Sequence, residues 1–316
     1  RPVLFWIHGG SFINCSGNEL DGTVLAGQGD VVVVAVNYRL GAFGFLDLSK
    51  LGSEFDGSAS NSIRDITLAL NWVKVNIEDY GGDPSNVTIS GASSGATLVL
   101  SLLATPAADS LYHKAIAHSP TCAYKAPQDP TSDICKTLDI AEKDLLNKLR
   151  SMSAHELLAL QLRARVHVDG HVITRSTFEA IVERGKSGVP LLTGTNLREG
   201  SRYTNGLDEE QDHYADWNVG LAAEMLCGEN PEPYLSALRD SYPDASAGLF
   251  HEIIWTDMFR RTSLKAAELS SLAGPGGWLY RFDLCPSLPE YEDLGATHGS
   301  EWAFTFNVFE NEDTHA

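Results

Sequence analysis

Val87-Thr88-Ile89-Ser90-Gly91-Ala92-Ser93-Ser94-Gly95-Ala96 decides how the rest of the chain is read. The apolar run ending at Ser90 predicts a strand, and Ala96 to Leu103 predicts a helix. Between them the chain turns tightly at Ser93, inside a Gly-x-Ser-x-Gly pattern. The glycines have a mechanical reason to be there. The turn needs strained backbone angles, and a side chain at Gly91 or Gly95 would hold the helix away from the strand. A serine at such an apex is pushed toward solvent and substrate. Glycine and serine are common in any loop, so the pattern is weak alone and its neighbours must decide.

His8-Gly9-Gly10-Ser11-Phe12 follows the strand-like Val3-Leu4-Phe5-Trp6-Ile7. Paired glycines after a buried strand free their N–H groups to face a ligand. In acyl transfer such groups, with the N–H of the residue after the nucleophile, hold the negative oxygen of the tetrahedral intermediate. Gly9, Gly10 and Ser94 are therefore the candidate oxyanion hole. An ordinary turn is the alternative reading of the glycine pair.

A serine hydroxyl needs a base, and the base needs an acid behind it. Among ten histidines, His298 stands out in Gly295-Ala296-Thr297-His298-Gly299, a glycine-flanked loop far downstream of Ser93. Glu199, in Gly194-Thr195-Asn196-Leu197-Arg198-Glu199-Gly200, follows the apolar Val189-Pro190-Leu191-Leu192 and is the candidate acid. Taken singly, a loop histidine reads as a surface group, and a glutamate beside Arg198 as half of an exposed ion pair. Together, the order Ser, Glu, His is that of α/β-hydrolases.

Several longer strings carry a family resemblance. They are Phe5-Trp6-Ile7-His8-Gly9-Gly10, Val34 to Leu46 with its Asn37-Tyr38-Arg39, Ala69-Leu70-Asn71-Trp72-Val73, Asn76-Ile77, Gly81-Gly82-Asp83-Pro84, Val168-Asp169-Gly170 and the two triad loops. The chain resembles the type B carboxylesterases, the branch of the α/β-hydrolases that includes cholinesterases. The resemblance implies Ser93 as nucleophile, His298 as base, Glu199 as acid, and an Arg39–Asp65 pair belonging to the scaffold. Two departures stand out. The family usually has Glu before the nucleophile and Gln after the aspartate, where this chain has Ala92 and Ile66. Relatives also extend further at both ends, so the expectation is one α/β-hydrolase domain over residues 1–316, incomplete at its termini.

Nearly all-apolar strands near 3–7, 31–37, 86–90, 113–118, 189–194 and 277–282 alternate with helical patterns at 62–76, 94–103 and 256–272. This predicts a mostly parallel sheet covered on both faces. Ligands bind such sheets beyond the carboxyl ends of the strands, where Gly9, Ser93 and Glu199 all fall. The polar, mixed-charge stretches near 121–175 and 201–250 read as helical lid and pocket insertions. Trp302, Phe304 and Phe306, spaced by two, read as core in preference to pocket lining.

A net charge of −19 argues against nucleic acid as a partner. It reads as an acidic surface, or as a field for cationic substrates of the kind attributed to the cholinesterase branch. No run of about 18 apolar residues spans a membrane. No secretory signal pattern is visible, and a chain that begins inside a strand would not display one. Cys15, Cys122, Cys135, Cys227 and Cys285 show no C-x-x-C spacing, so neither a zinc nor a redox site is expected. Secreted relatives carry a disulfide in a place similar to Cys122 and Cys135. The sequence thus reads as a serine hydrolase of small-molecule carboxylic esters without metal or cofactor. The alternative is a noncatalytic esterase-like binding or adhesion module, or an inactive fragment.

Overall fold

Runs of valine, isoleucine and aromatic residues with no polar alternation can be buried on both faces, and six of them form one sheet. They are β1 (Val3–Ile7), β2 (Val32–Val36), β3 (Val87–Ala92), β4 (Lys114–His118), β7 (Leu191–Asn196) and β8 (Gly277–Phe282). A computed structural model describes residues 1–122, 124–125, 131–160, 165–204, 212–228, 230–285 and 293–308. The strand order is β2-β1-β3-β4-β7-β8, and every neighbouring pair is parallel. A second ladder pairs β5 (Tyr124–Lys125) with β6 (His167–Val168).

From β1 the chain moves outward to β2, then returns to the other side of β1 as β3. The strand order therefore switches direction between β1 and β3. A crevice opens at such a switch point, beyond the carboxyl ends of the strands. The His8-Gly9-Gly10 loop and the Ser93 turn leave the sheet at that crevice.

Parallel strands need long crossovers, and helices supply them. Asn61–Asn76 buries Ile63, Ile66, Leu70 and Val73, spaced three or four apart, while Leu68 and Val75 face outward. Ser94–Leu102 is buried on every side and forms the middle of the core. Ala247–Ala273 packs along β7 and β8. It begins nine residues before the predicted 256, where the Ser246 hydroxyl accepts from the Leu249 N–H and caps the first turn.

The two insertions carry separate apolar clusters. Ile134, Leu145 and Leu149 form one, and Val219, Ala222, Ala223, Leu238 and Ile254 the other. Their helices are Ser132–Leu138, Glu142–Ser151 and Ala154–Leu158 in the first, and Ser201–Thr204, Asp212–Cys227 and Glu232–Ser241 in the second. Parts of both insertions, including 126–130, 161–164 and 205–211, lie outside the described residues. No helix among the described residues is long and apolar enough to cross a membrane. None of the five cysteines is in a disulfide, and Cys122 instead lies 3.5 Å from the Thr262 hydroxyl.

The predicted core role of Trp302, Phe304 and Phe306 needs correction. They lie on a short helix, Trp302–Phe306, and the core reading fails only at Phe304. Phe306 is buried edge-on to Trp6 at 4.8 Å, whereas Phe304 points outward beside Phe282.

Ile89 lies at the centre of β3 and is fully buried, so Ile89→Ala is expected to destabilise the fold by about 2–5 kcal/mol. Leu272, at the exposed end of its helix, is expected to tolerate alanine within about 0.5 kcal/mol. Urea unfolding of both variants checks the contrast, and equal losses would contradict this assignment of the core.

Candidate active site

Ser93 stands where β3 stops and the Ser94–Leu102 helix begins, with φ 56° and ψ −124°. A residue with a side chain holds such a backbone at a cost of about 1–3 kcal/mol, so its surroundings must enforce it. The Ser93 N–H donates to the His118 carbonyl at 2.8 Å, and the Ser93 carbonyl accepts from the Thr97 N–H at 3.1 Å. The flanking glycines let strand and helix close on each other. A Cβ on Gly91 would lie 2.7 Å from the Gly95 backbone, and one on Gly95 2.1 Å from the Ile7 carbonyl oxygen.

The glycine loop leaves β1 beside this turn. A Cβ on Gly9 would come within 3.3 Å of the Ser93 Cβ, so the absence of a side chain is what lets the two backbones meet. Gly10, at φ 98°, would drive a Cβ into Asn14. Tyr38 holds the loop from below, its hydroxyl donating to the His8 carbonyl at 2.9 Å and its ring stacked on His8 at 4.5 Å. Among the described residues, the N–H groups of Gly9, Gly10 and Ser94 donate to no protein acceptor. Unengaged donors beside a nucleophile are what an oxyanion hole requires.

Glu199 follows β7 and is fully buried. Its Oε1 accepts from the Ser119 hydroxyl at 2.5 Å and from the Asn196 N–H at 2.6 Å, and its Oε2 accepts from His298 Nδ1 at 2.5 Å. The carboxylate therefore fixes the tautomer, and His298 Nε2 is left buried with no partner among the described residues. The exposed ion pair weighed for Glu199 does not form. Arg198 turns the other way and grips Glu252 with two bonds of 2.8 and 2.9 Å.

Two loops are sewn together to make this pair. The Arg198 N–H donates to the Ala296 carbonyl at 2.9 Å, and the Ser201 hydroxyl reaches both Thr297 Oγ1 and the Leu294 carbonyl at 2.8 Å. Aromatic rings wall the imidazole. Phe259 stacks on His298 at 4.7 Å, and Tyr203, itself stacked on Trp255, lies 5.7 Å away. Sequence reasoning missed Ser119, whose only signal is its place after β4, equivalent to that of Ser93 after β3. It also missed Asn196, Phe259 and Glu301, which no spacing distinguishes.

Behind the pair lies a buried polar group on one face of the sheet. Asn196 Nδ2 donates to Glu301 at 2.5 Å, and His118 Nδ1 is 2.8 Å from the Tyr280 hydroxyl. Burial first, and then the charge of Glu199, push the Glu301 carboxyl up to about 7. Burial pushes His118 down to about 4. Among the described residues, no three His, Cys, Asp or Glu side chains gather as metal ligands.

The sequence pattern of the Carboxylesterase family matches residues 1–315. The chain belongs to the carboxylesterase family. Para-nitrobenzyl esterase from Bacillus subtilis (strain 168) is 35% identical over 323 residues, a match that covers 96% of this chain and 63% of that protein. Neuroligin-3 from Mus musculus is 29% identical over 345 residues, covering 98% of this chain and 40% of its own. A solved PNB esterase structure superposes with a TM-score of 0.81 at 33% identity, covering 97% of this chain and 64% of that one. The chain thus spans less than two thirds of the length of these carboxylesterase-family relatives, and the fold is the α/β-hydrolase fold.

Both departures from the family pattern have a packing environment. Ala92 is fully buried against Trp6 and Phe306, and Ile66 lies fully buried in the main core. The Arg39–Asp65 pair forms a fork with bonds of 2.7 and 2.8 Å that joins the β2 exit to the Asn61–Asn76 helix.

The raised Glu301 carboxyl binds its proton more tightly in the folded chain than in the unfolded one. Its stabilisation is complete below about pH 4.5 and is lost as pH rises through about 7. Glu301→Gln is therefore expected to gain on wild type by on the order of 3 kcal/mol between pH 4.5 and 7.5. Urea unfolding at stepped pH measures the gap, and a gap independent of pH would refute it. His118 acts in the opposite sense, losing stability as pH falls from about 6.5 to 4, and is common to both proteins.

Proposed function

We propose that this chain is a serine hydrolase that cleaves carboxylic esters through an acyl-enzyme. The observation that carries the reading is the buried Glu199–His298 pair at 2.5 Å, which leaves Nε2 without a partner among the described residues, together with the strained backbone of Ser93 at the end of β3. In this reading Ser93 Oγ attacks the ester carbonyl while His298 Nε2 takes its proton. The N–H groups of Gly9, Gly10 and Ser94 receive the oxyanion, each worth on the order of 3 kcal/mol in the transition state. Collapse expels the alcohol with the proton from His298. Water then attacks the acyl-enzyme by the same route and releases the acid.

Glu199 keeps its charge throughout, orienting the imidazole and stabilising the imidazolium. Its three donors hold the carboxylate in place. The stacked Phe259 ring holds the imidazole plane. We assign the whole span 1–316 to one catalytic domain, with the insertions near 121–175 and 201–250 forming its lid and pocket. Small uncharged benzyl esters, suggested by the name of the Bacillus relative, are the first substrates to try, beside p-nitrophenyl esters as a chromogenic probe. The alternative, a noncatalytic binding module, has the Neuroligin-3 similarity in its favour, but it gives no role to a buried acid–histidine pair.

Ser93→Ala is expected to abolish p-nitrophenyl ester hydrolysis while the circular dichroism spectrum is retained. Glu199→Gln, which leaves the imidazole in the wrong tautomer, is expected to lower kcat by about 10⁴. A fluorophosphonate probe should label wild type and not Ser93→Ala, read as a mass shift on the Ser93 peptide. Full turnover in Ser93→Ala, or a folded wild type that neither turns over nor labels, would overturn the assignment.

A further inference from the structure

We propose that a groove beside the catalytic loops binds a single-chain fatty acid, with its carboxylate on Arg261 and its chain along the Ala247–Ala273 helix. The groove holds about 720 Å³ between that helix, the end of Asp212–Cys227 and the helix Thr177–Arg184. Small-molecule sites usually measure about 300–1,000 Å³. None of Ser93, Glu199, His298, Gly9 and Gly10 lines it, and the site does not depend on the hydrolase reading above.

The floor is apolar. Phe178, Met225 and Leu226 are half-buried in it, and Met258 is buried. Two of the three methionines of the chain therefore meet here, and their flexible, polarisable thioethers adapt to a ligand that itself has many rotamers. The polar groups of the floor are already engaged. The Thr121 N–H donates to Thr97 Oγ1 at 2.9 Å, the two threonine hydroxyls lie 3.0 Å apart, and the Thr262 hydroxyl donates to the Met258 carbonyl at 3.2 Å. A polar ligand group placed on this floor would lose its water without compensation.

The rim is charged. Lys265 pairs with Glu268 at 3.5 Å, and Asp257, four residues before Arg261, accepts from the Tyr234 hydroxyl at 2.8 Å. Arg261 is exposed and makes no hydrogen bond or ion pair among the described residues. Other arginines also lack a carboxylate, but Arg261 alone among the arginines borders this groove. The helix lines the groove from Met258 to Glu268, a rise of about 15 Å at 1.5 Å per residue. A long apolar floor with a guanidinium on its border fits an unbranched chain that ends in a carboxylate, which the guanidinium grips through two parallel bonds. The net charge of −19 repels such an anion at long range. At physiological salt that field is screened beyond about 8 Å, whereas a contact pair is not.

The test uses the Ser93→Ala protein, so that no turnover enters, and titrates decanoate, decyl alcohol and decyltrimethylammonium by calorimetry below micelle-forming concentrations. Decanoate is expected to bind most tightly. Arg261→Gln in the same background should weaken decanoate about tenfold and change decyl alcohol by less than about twofold. Met225→Trp, which fills the floor, should abolish binding of both while the circular dichroism spectrum is retained. Position is read from the thiols: decanoate should slow maleimide labelling of Cys122 and Cys227, which line the groove, and not of Cys15 or Cys285. If Met225→Trp does not fold, the Arg261 variant and the thiols decide. No saturable binding, equal affinity for acid and alcohol, tighter binding of the cation, or protection of Cys15 in place of Cys122 and Cys227 would overturn the proposal.

Discussion

A carboxylate with no access to water must be satisfied by the protein, and much of the carboxyl end of the sheet is arranged around the one on Glu199. Burying an uncompensated charge is far more costly than the stability of a typical domain allows. Glu199 meets this with three donors from three parts of the chain: the Ser119 hydroxyl after β4, the Asn196 N–H at the end of β7, and the His298 ring. Each comes from a loop that is itself tied to a strand end. Removing any one leaves the other two to carry the charge, which couples the position of the imidazole to the register of the central strands.

The turn at Ser93 is a second expression of the same coupling. A positive φ at a serine persists only where neighbours over-determine it. Here the enforcement is backbone against backbone: Gly95 against the end of β1, Gly91 against Gly95, and Gly9 against Ser93 itself. The Ser93 turn and the Gly9-Gly10 loop are thus held by the sheet at its switch point.

Ala92 gives this member of the family a different interior behind the nucleophile. With a methyl group packed on Trp6 and Phe306, the polar groups of this region are Glu301, Asn196, His118 and Tyr280. Glu301 shares its surroundings with the charge of Glu199, and both burial and that charge favour its protonated form. A neutral Glu301 removes a second negative charge from beside the proposed acid of the triad.

All six strands of the central sheet were legible in the sequence, because short apolar runs such as Val3–Ile7 and Val32–Val36 alternate with helical patterns. The glycine-flanked Ser93, the Gly9-Gly10 loop and the loops holding Glu199 and His298 were legible too, since strained turns and close backbone contacts demand glycine wherever they occur. The start of the Ala247–Ala273 helix was hidden, because its first turns face a small satellite cluster and carry no strong apolar period. Of Trp302, Phe304 and Phe306, read as core, only Phe304 faces outward, because residues two apart on a helical turn point to different sides. By itself, the sequence determined the chemistry available and the strand ends that carry it, because residue type and local backbone strain are local properties. Only the tertiary structure decided that Arg198 pairs with Glu252 while Glu199 pairs with His298, and that Ser119 and Asn196 complete the buried acid. Apart from Asn196, three residues before Glu199, those partners lie tens to about a hundred residues apart, and contacts at that separation are not legible until the sheet has brought its strand ends together.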